Sequence, residues 1–109
     1  MNPQKVIRNN VHVLTDLPNI GKSIEKDLLS IGINQPSDLI DKSPYQMYEE
    51  LCRKTATKHD PCVLDVFISI TRFMEGEDPK PWWKYTQERQ EYLKEQTDNK
   101  KQKGANLSF

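Results

Sequence analysis

The seventeen residues from Leu17 to Ile33, Leu-Pro-Asn-Ile-Gly-Lys-Ser-Ile-Glu-Lys-Asp-Leu-Leu-Ser-Ile-Gly-Ile, constrain the fold of this chain more than any other stretch. Pro18 fixes its own φ and pushes Leu17 out of the right-handed helical region, so a helix arriving from the N-terminal side stops there. Asn19 and Gly21 bracket Ile20, and both residue types tolerate positive φ. That predicts a sharp reversal with one apolar residue pointing inward. After the reversal, Ile24, Leu28 and Ile31 fall at i, i+4 and i+7, which predicts one apolar face of a helix over Gly21 to Ile31. Gly32 followed by apolar Ile33 predicts a left-handed cap whose next residue packs back on the last turn.

This stretch resembles the helix-hairpin-helix motif, whose hairpin is usually Leu-Pro-Gly-apolar-Gly and whose second helix runs to a Leu-x-x-Gly-Ile ending. Asn19 stands where the motif has its first glycine, and Glu25 where it has a small residue in the first helical turn. The resemblance implies that Pro18, Asn19, Ile20 and Gly21 form a DNA-contacting hairpin. In such a hairpin the N–H groups of Gly21 and Lys22 point at a phosphate, and Lys22, Ser23 and Lys26 add side-chain contacts. The same residues are also compatible with a purely structural turn, since glycine hairpins pack helices without touching a ligand and Glu25 and Asp27 oppose the lysines. One hairpin engages few phosphates, so binding through it alone is expected to be weak, roughly 10⁻⁴ to 10⁻⁶ M at physiological salt, and steeply salt-dependent.

The chain of 109 residues suits a single domain with a tail. Sixteen basic and sixteen acidic residues cancel, so any basic face must be local. The first ten residues contain no apolar leader segment, and no run approaches the length of a membrane span, which points to a cytoplasmic protein with no membrane partner. Cys52 and Cys62 are too few for a secreted disulfide scaffold and are expected to be reduced.

In chain order, residues 1–9 carry no period and are expected to be flexible. Val11, Val13, Leu14 and Leu17 predict a short helix, with Asn10 as a candidate cap. Ser37 or Asp38 can cap a single turn that buries Leu39 and Ile40. Ser43-Pro44-Tyr45-Gln46 is a capping-box start with proline at the first helical position, and it predicts a helix burying Met47, Tyr48, Leu51 and Cys52 and ending near Lys54. Asp60-Pro61 repeats the signal. There Val63, Val66, Phe67, Ile70, Phe73 and Met74, widened by Leu64 and Ile68, predict the central core helix, with Asp65, Ser69, Arg72 and Gly76 as its narrow polar face. Glu77 to Pro81 breaks that helix. A last segment opens at Trp82-Trp83-Lys84-Tyr85 with a sparse apolar line of Tyr85, Tyr92 and Leu93, and residues 97–109 read as a disordered polar tail.

No phosphate-cradling glycine loop, nucleophile elbow or metalloprotease pattern is present, so no enzyme activity and no cofactor are expected. Cys52, His59 and Cys62 sit where a helix end and a helix start meet, and with His12 or Asp60 they offer a zinc-type donor set, although the spacing matches no finger signature. Buried apolar thiols or a thiol pair account for the same residues. Trp82 and Trp83 suit base stacking or a protein-docking patch, and equally suit anchoring of the last helix to the core. Lys100, Lys101 and Lys103 suit either phosphate contacts or a solvated tail.

The order of elements is similar to that of compact five-helix domains built from two helix-hairpin-helix units. Lys54 to Cys62 stands where the second glycine hairpin would be, so a symmetrical clamp on duplex DNA is not expected. A more specific match runs from Leu17 to Arg89. Leu17-Pro18-Asn19-Ile20-Gly21, Tyr48 to Cys52, His59-Asp60-Pro61-Cys62-Val63-Leu64-Asp65-Val66-Phe67 and Trp82-Trp83-Lys84-Tyr85-Thr86 resemble a small bacterial helix-hairpin-helix family named after a pathogenicity locus, related to the C-terminal domain of TfoX-type competence regulators. The resemblance implies an all-α, five- to six-helix, SAM-like domain over residues 10–96. Its expected function is sequence-independent binding to DNA, or to a protein of a DNA-processing complex. The alternative is an interaction adaptor that docks through Trp82 and Trp83 and uses the hairpin only structurally.

Overall fold

The computed structural model describes the backbone of residues 5–107 and the side chains of residues 5–96. Residues 1–4 of the expected flexible N-terminus, and the side chains of Lys100, Lys101 and Lys103, lie outside that range. Four α-helices follow in order, α1 Lys22–Ser30, α2 Pro44–Thr55, α3 Pro61–Met74 and α4 Thr86–Leu107, with no strand among the described residues. Single 3-10 turns at Arg8–Asn10 and Leu14–Asp16 precede α1, one at Pro36–Leu39 lies between α1 and α2, and one at Trp82–Tyr85 leads into α4. The fold is all-helical, with fewer α-helices than the five to six expected.

The helices α2 and α4 and the turns Pro36–Leu39 and Trp82–Tyr85 pack on α3, while α1 packs on α2 and the Leu14–Asp16 turn. Asp60 Oδ1 accepts the Cys62 N–H at 2.8 Å and Pro61 occupies the first helical position, so the helix starts where its sequence says it should. Every residue from Leu64 to Thr71 is buried, including Phe67 and Ile68 with no exposed surface. Complete burial of one such side chain stabilises the fold by about 1.5–3 kcal/mol. Asp65 and Ser69 are therefore not the solvent-facing stripe that their spacing suggests. Ser69 Oγ donates to Val66 O at 2.6 Å, and Asp65 is paired across the fold, so neither is left unsatisfied.

Helix ends are set by one device used three times. After α1, the Ile33 N–H reaches Leu28 O at 3.0 Å and the Gly32 N–H reaches Leu29 O at 3.1 Å, with Gly32 at φ 86° and Ile33 buried. After α3, Glu77 and Gly76 bond Arg72 O and Phe73 O in the same way. After α2 the left-handed position falls to Ala56, at φ 51°, with Thr57 and Ala56 bonding Cys52 O and Arg53 O. The α2 start carries the Ser43 arm of the expected box, its Oγ accepting the Gln46 N–H at 3.4 Å.

Two expected helical pieces are single 3-10 turns. Asp16 Oδ2 accepts the N–H groups of His12 at 3.0 Å and Val13 at 3.1 Å, which closes one turn at Leu14–Asp16 and leaves Val13 extended and exposed. Asp38 repeats this on Asn34 and Gln35, so Leu39 is buried but Ile40 is exposed. Residues 7–9 are not loose. The guanidinium of Arg8 lies 4.0 Å from the centre of the Phe73 ring and donates to the carbonyls of Phe73 and Glu77, binding the chain start to the end of α3.

The start of α4 is fastened to α2 and α3. Tyr92 stacks on Tyr45 with ring centres 3.9 Å apart, and Glu88 accepts from Tyr45 OH at 2.8 Å and from Arg72 at 2.6 Å. Arg89 Nε donates to Asp65 Oδ1 at 2.9 Å, and Thr86 Oγ1 to Asp65 Oδ2 at 2.7 Å. The α4 backbone continues to Leu107, past Thr97, where the sequence places the start of a structureless tail.

Candidate functional site

Leu17, Pro18 and Ile20 are buried and hold the hairpin against the core, leaving Gly21, Lys22, Ser23 and Lys26 exposed. The reversal is made at Asn19, whose φ is 68°, and Gly21 is not left-handed but at φ −105°. Asparagine is one of the few side-chain-bearing residues that adopts this conformation, so the chain reverses here without a glycine. At Gly21, an added Cβ would meet nothing within 4 Å. Glycine is thus not required there by strain or by any group of the protein itself.

The Asn19 amide has a second use that its sequence context does not reveal. Its Nδ2 donates to Lys80 O at 2.8 Å and to Ser69 Oγ at 3.1 Å, and its Oδ1 accepts the Trp82 N–H at 3.2 Å. One side chain therefore fixes the hairpin to α3 and to the segment that carries both tryptophans. A glycine at this position makes none of these bonds.

At the start of α1, Gly21 is the N-cap and no side chain caps the helix. The first bond of the helix is Glu25 N–H to Gly21 O at 3.0 Å, so the N–H groups of Lys22, Ser23 and Ile24 have no acceptor within the helix. The contrast with α2 and α3 is direct, because Ser43 and Asp60 fill this place there. The open end carries the positive pole of the helix dipole, with Lys22 and Lys26 one turn apart beside it. Glu25 and Asp27 are half-buried on the same helix and temper that field.

Trp82 is half-buried and packs against the core, while Trp83 is 57% exposed. The two indoles meet edge to face, with ring centres 5.7 Å apart and planes at 84°. Glu77 closes the other side of this segment, accepting from Tyr85 OH at 2.8 Å and from Lys80 at 3.1 Å. Burial raises the Glu77 carboxyl, but these bonds and the nearby Arg72 charge outweigh it and hold the group below its ordinary value.

The Cys52, His59 and Cys62 region is a set of local bonds. Cys52 Sγ accepts the His59 N–H at 3.5 Å, His59 O accepts from Tyr48 OH, and His59 Nε2 bonds Thr55 Oγ1 at 2.8 Å. Among the described residues no group of three His, Cys, Asp or Glu side chains is arranged to hold a metal ion, and both thiols are free. Burial pushes the Cys62 thiol up, and Asp60 and Asp65 add to the shift, the opposite direction from the lowered pKa of an activated thiol. Burial also takes Tyr48 up to about 12, with Cys52 and Asp60 contributing. A surface depression lined by Gln46, Glu49, Glu50 and Arg53 contains none of these residues.

The sequence profile of the family described as "Pathogenicity locus" matches residues 7–91. The chain belongs to that family. The matched span begins just before Arg8 and ends just after Arg89, so it takes in the docked chain start, the hairpin, the tryptophan segment and the Asp65–Arg89 pair. A curated relative, "Mitomycin resistance protein McrB" of Streptomyces lavendulae, is 38% identical over 80 residues, 73% of this chain and 76% of the relative. No solved structure matches the chain. Among the described residues of this pathogenicity locus family member, no helix is long and apolar enough to cross a membrane.

Proposed function

We propose that this is a helix-hairpin-helix protein of the SAM-like kind that binds DNA without sequence specificity, the hairpin holding a backbone phosphate at the start of α1. The observation that carries the reading is the uncapped N-terminus of α1, in front of which a Cβ at Gly21 would find open space, beside Lys22, Ser23 and Lys26. Backbone N–H groups without an acceptor, a dipole and exposed lysines together make an anion site. Contacts of this type read the phosphate backbone and not the bases. No catalytic step belongs to this reading, and the setting proposed with it is cytoplasmic.

A salt-series titration of duplex DNA with the wild type and a Lys22→Ala, Lys26→Ala variant tests it. Both side chains are exposed, so the variant should fold normally. Its binding should weaken on every duplex sequence, with the log–log salt slope smaller by up to about 2. Equal affinity of the two proteins at low salt would sink the reading. The relative's name concerns mitomycin resistance, and carried to this chain it proposes a cellular readout, survival in mitomycin, which the same variant should lower.

The exposed Trp83 is the observation that favours the second reading, an adaptor docking on a protein of a DNA-processing complex. An adaptor would show no salt-dependent DNA binding at micromolar concentrations, and Trp83→Ala would remove partner binding where the lysine pair would not.

A further inference from the structure

We infer that the strand this site is built for is single-stranded, with an unpaired base stacked on Trp83 while the hairpin holds a neighbouring phosphate. The inference rests on the hairpin reading for the phosphate and adds the class of nucleic acid.

The argument begins with how Trp83 is mounted. Trp83 meets Trp82 edge to face and keeps 57% of its surface exposed, so much of its indole is open to solvent. The ring is not on a loose loop. Trp82 is packed on the core, its N–H is held by Asn19 Oδ1, Lys80 O is held by Asn19 Nδ2, and Pro79 and Pro81 stiffen the approach. The polar clamp fixes the backbone beneath an apolar ring that stays in water, so part of the ordering cost is met before anything binds, which favours a flat partner.

Charge and placement select the partner. The residue that clamps the tryptophan segment is Asn19 of the hairpin itself, so the open indole and the uncapped α1 start are connected through one side chain. Lys84, next to Trp83, and Lys22 and Lys26 on α1 are exposed. An exposed indole with Lys84 next to it in sequence, on a segment tied by Asn19 to the lysine-bearing start of α1, suits a nucleobase within its phosphate chain. Bases inside a duplex are already stacked on each other and offer no free face, whereas every unpaired base does. Trp83 therefore adds affinity for single-stranded DNA and none for the base pairs inside a duplex.

The test measures binding of the full chain to labelled oligothymidylate and to a blunt duplex with the same number of phosphates, by fluorescence anisotropy at low salt. Wild type should bind the single strand more tightly. Trp83→Ala should weaken oligothymidylate binding by about 5- to 100-fold and leave duplex binding unchanged, and Trp83→Phe, which keeps an aromatic face, should retain most of the affinity. Undiminished oligothymidylate binding by Trp83→Ala, an equal loss on both DNAs, or tighter wild-type binding to the duplex would overturn the inference. Undiminished binding would return Trp83 to protein docking. Lys22→Ala with Lys26→Ala should weaken both DNAs. A selective Trp83 loss beside an ineffective lysine pair would support the stacking and overturn the hairpin reading, so the two fail separately.

Discussion

Arg89 donates from Nε to Asp65 Oδ1 at 2.9 Å, and that carboxylate has no exposed surface. The pair ties the start of α4 to the most buried stretch of α3, and the Asp65 hydrogen bond holds the Arg89 guanidinium above its ordinary pKa. Removing one member of a buried pair leaves the other charge without compensation, which is far more costly than removing both. Arg89→Met, which keeps an apolar stem, should therefore cost about 3–5 kcal/mol in urea unfolding. The double variant Asp65→Leu, Arg89→Met should recover part of that loss. A single-variant cost below about 1 kcal/mol would show that the carboxylate is satisfied without Arg89.

Ala56 offers a test of the opposite sign. It ends α2 at φ 51°, the place where α1 and α3 have Gly32 and Gly76. A Cβ in that conformation is strained by about 1–2 kcal/mol, of which glycine gives back part as extra freedom in the unfolded chain. Ala56→Gly should thus stabilise the protein by roughly 0.5–1 kcal/mol, and Gly32→Ala should destabilise it by about 1 kcal/mol. Loss of stability in Ala56→Gly would contradict the left-handed ending.

The difference between what the residues predict and what they form lies in the range of the deciding interaction. Gly32, Ser43-Pro44 and Asp60-Pro61 act on backbone groups within a few residues, so the end of α1 and the starts of α2 and α3 are legible from sequence, whereas the left-handed endings at Ala56 and Gly76 are not. Nor are Asp65 and Ser69, because a polar i, i+4 pair on an apolar helix has the pattern of a solvent stripe, and the partners that Arg89, Thr86 and Asn19 supply lie at remote positions in sequence. Asn19 reads as a glycine substitute for the same reason. Its bonds to Lys80 and Trp82 join two candidate sites that the sequence presents as unrelated.

Stability should fall at both ends of the pH scale. Asp16, Asp38 and Asp60 are held below their ordinary values by backbone N–H groups, and Glu77 by the balance described above. A depressed folded-state pKa stabilises the fold above the unfolded-state value and is lost as pH falls through the folded-state value, so the acid loss should develop below about pH 4. Tyr45 and Tyr48 go the other way, raised to about 12 chiefly by burial. Their contribution is complete below about pH 10 and is lost as pH rises towards 12. Thermal melts across pH should give a plateau with both shoulders. A melting temperature that is flat down to pH 2 would contradict the carboxylate caps.

The proposed phosphate site at the start of α1 is tested most directly by the backbone amide resonances of residues 21–24 during titration with duplex DNA at low salt. Direct hydrogen bonding to phosphate should make the N–H signals of Lys22, Ser23 and Ile24 move furthest, and 1 M salt should reverse the change. Amides at the starts of α2 and α3, already capped by Ser43 and Asp60, should stay in place. Stationary signals for residues 21–24, with DNA-dependent shifts elsewhere in the chain, would contradict the account.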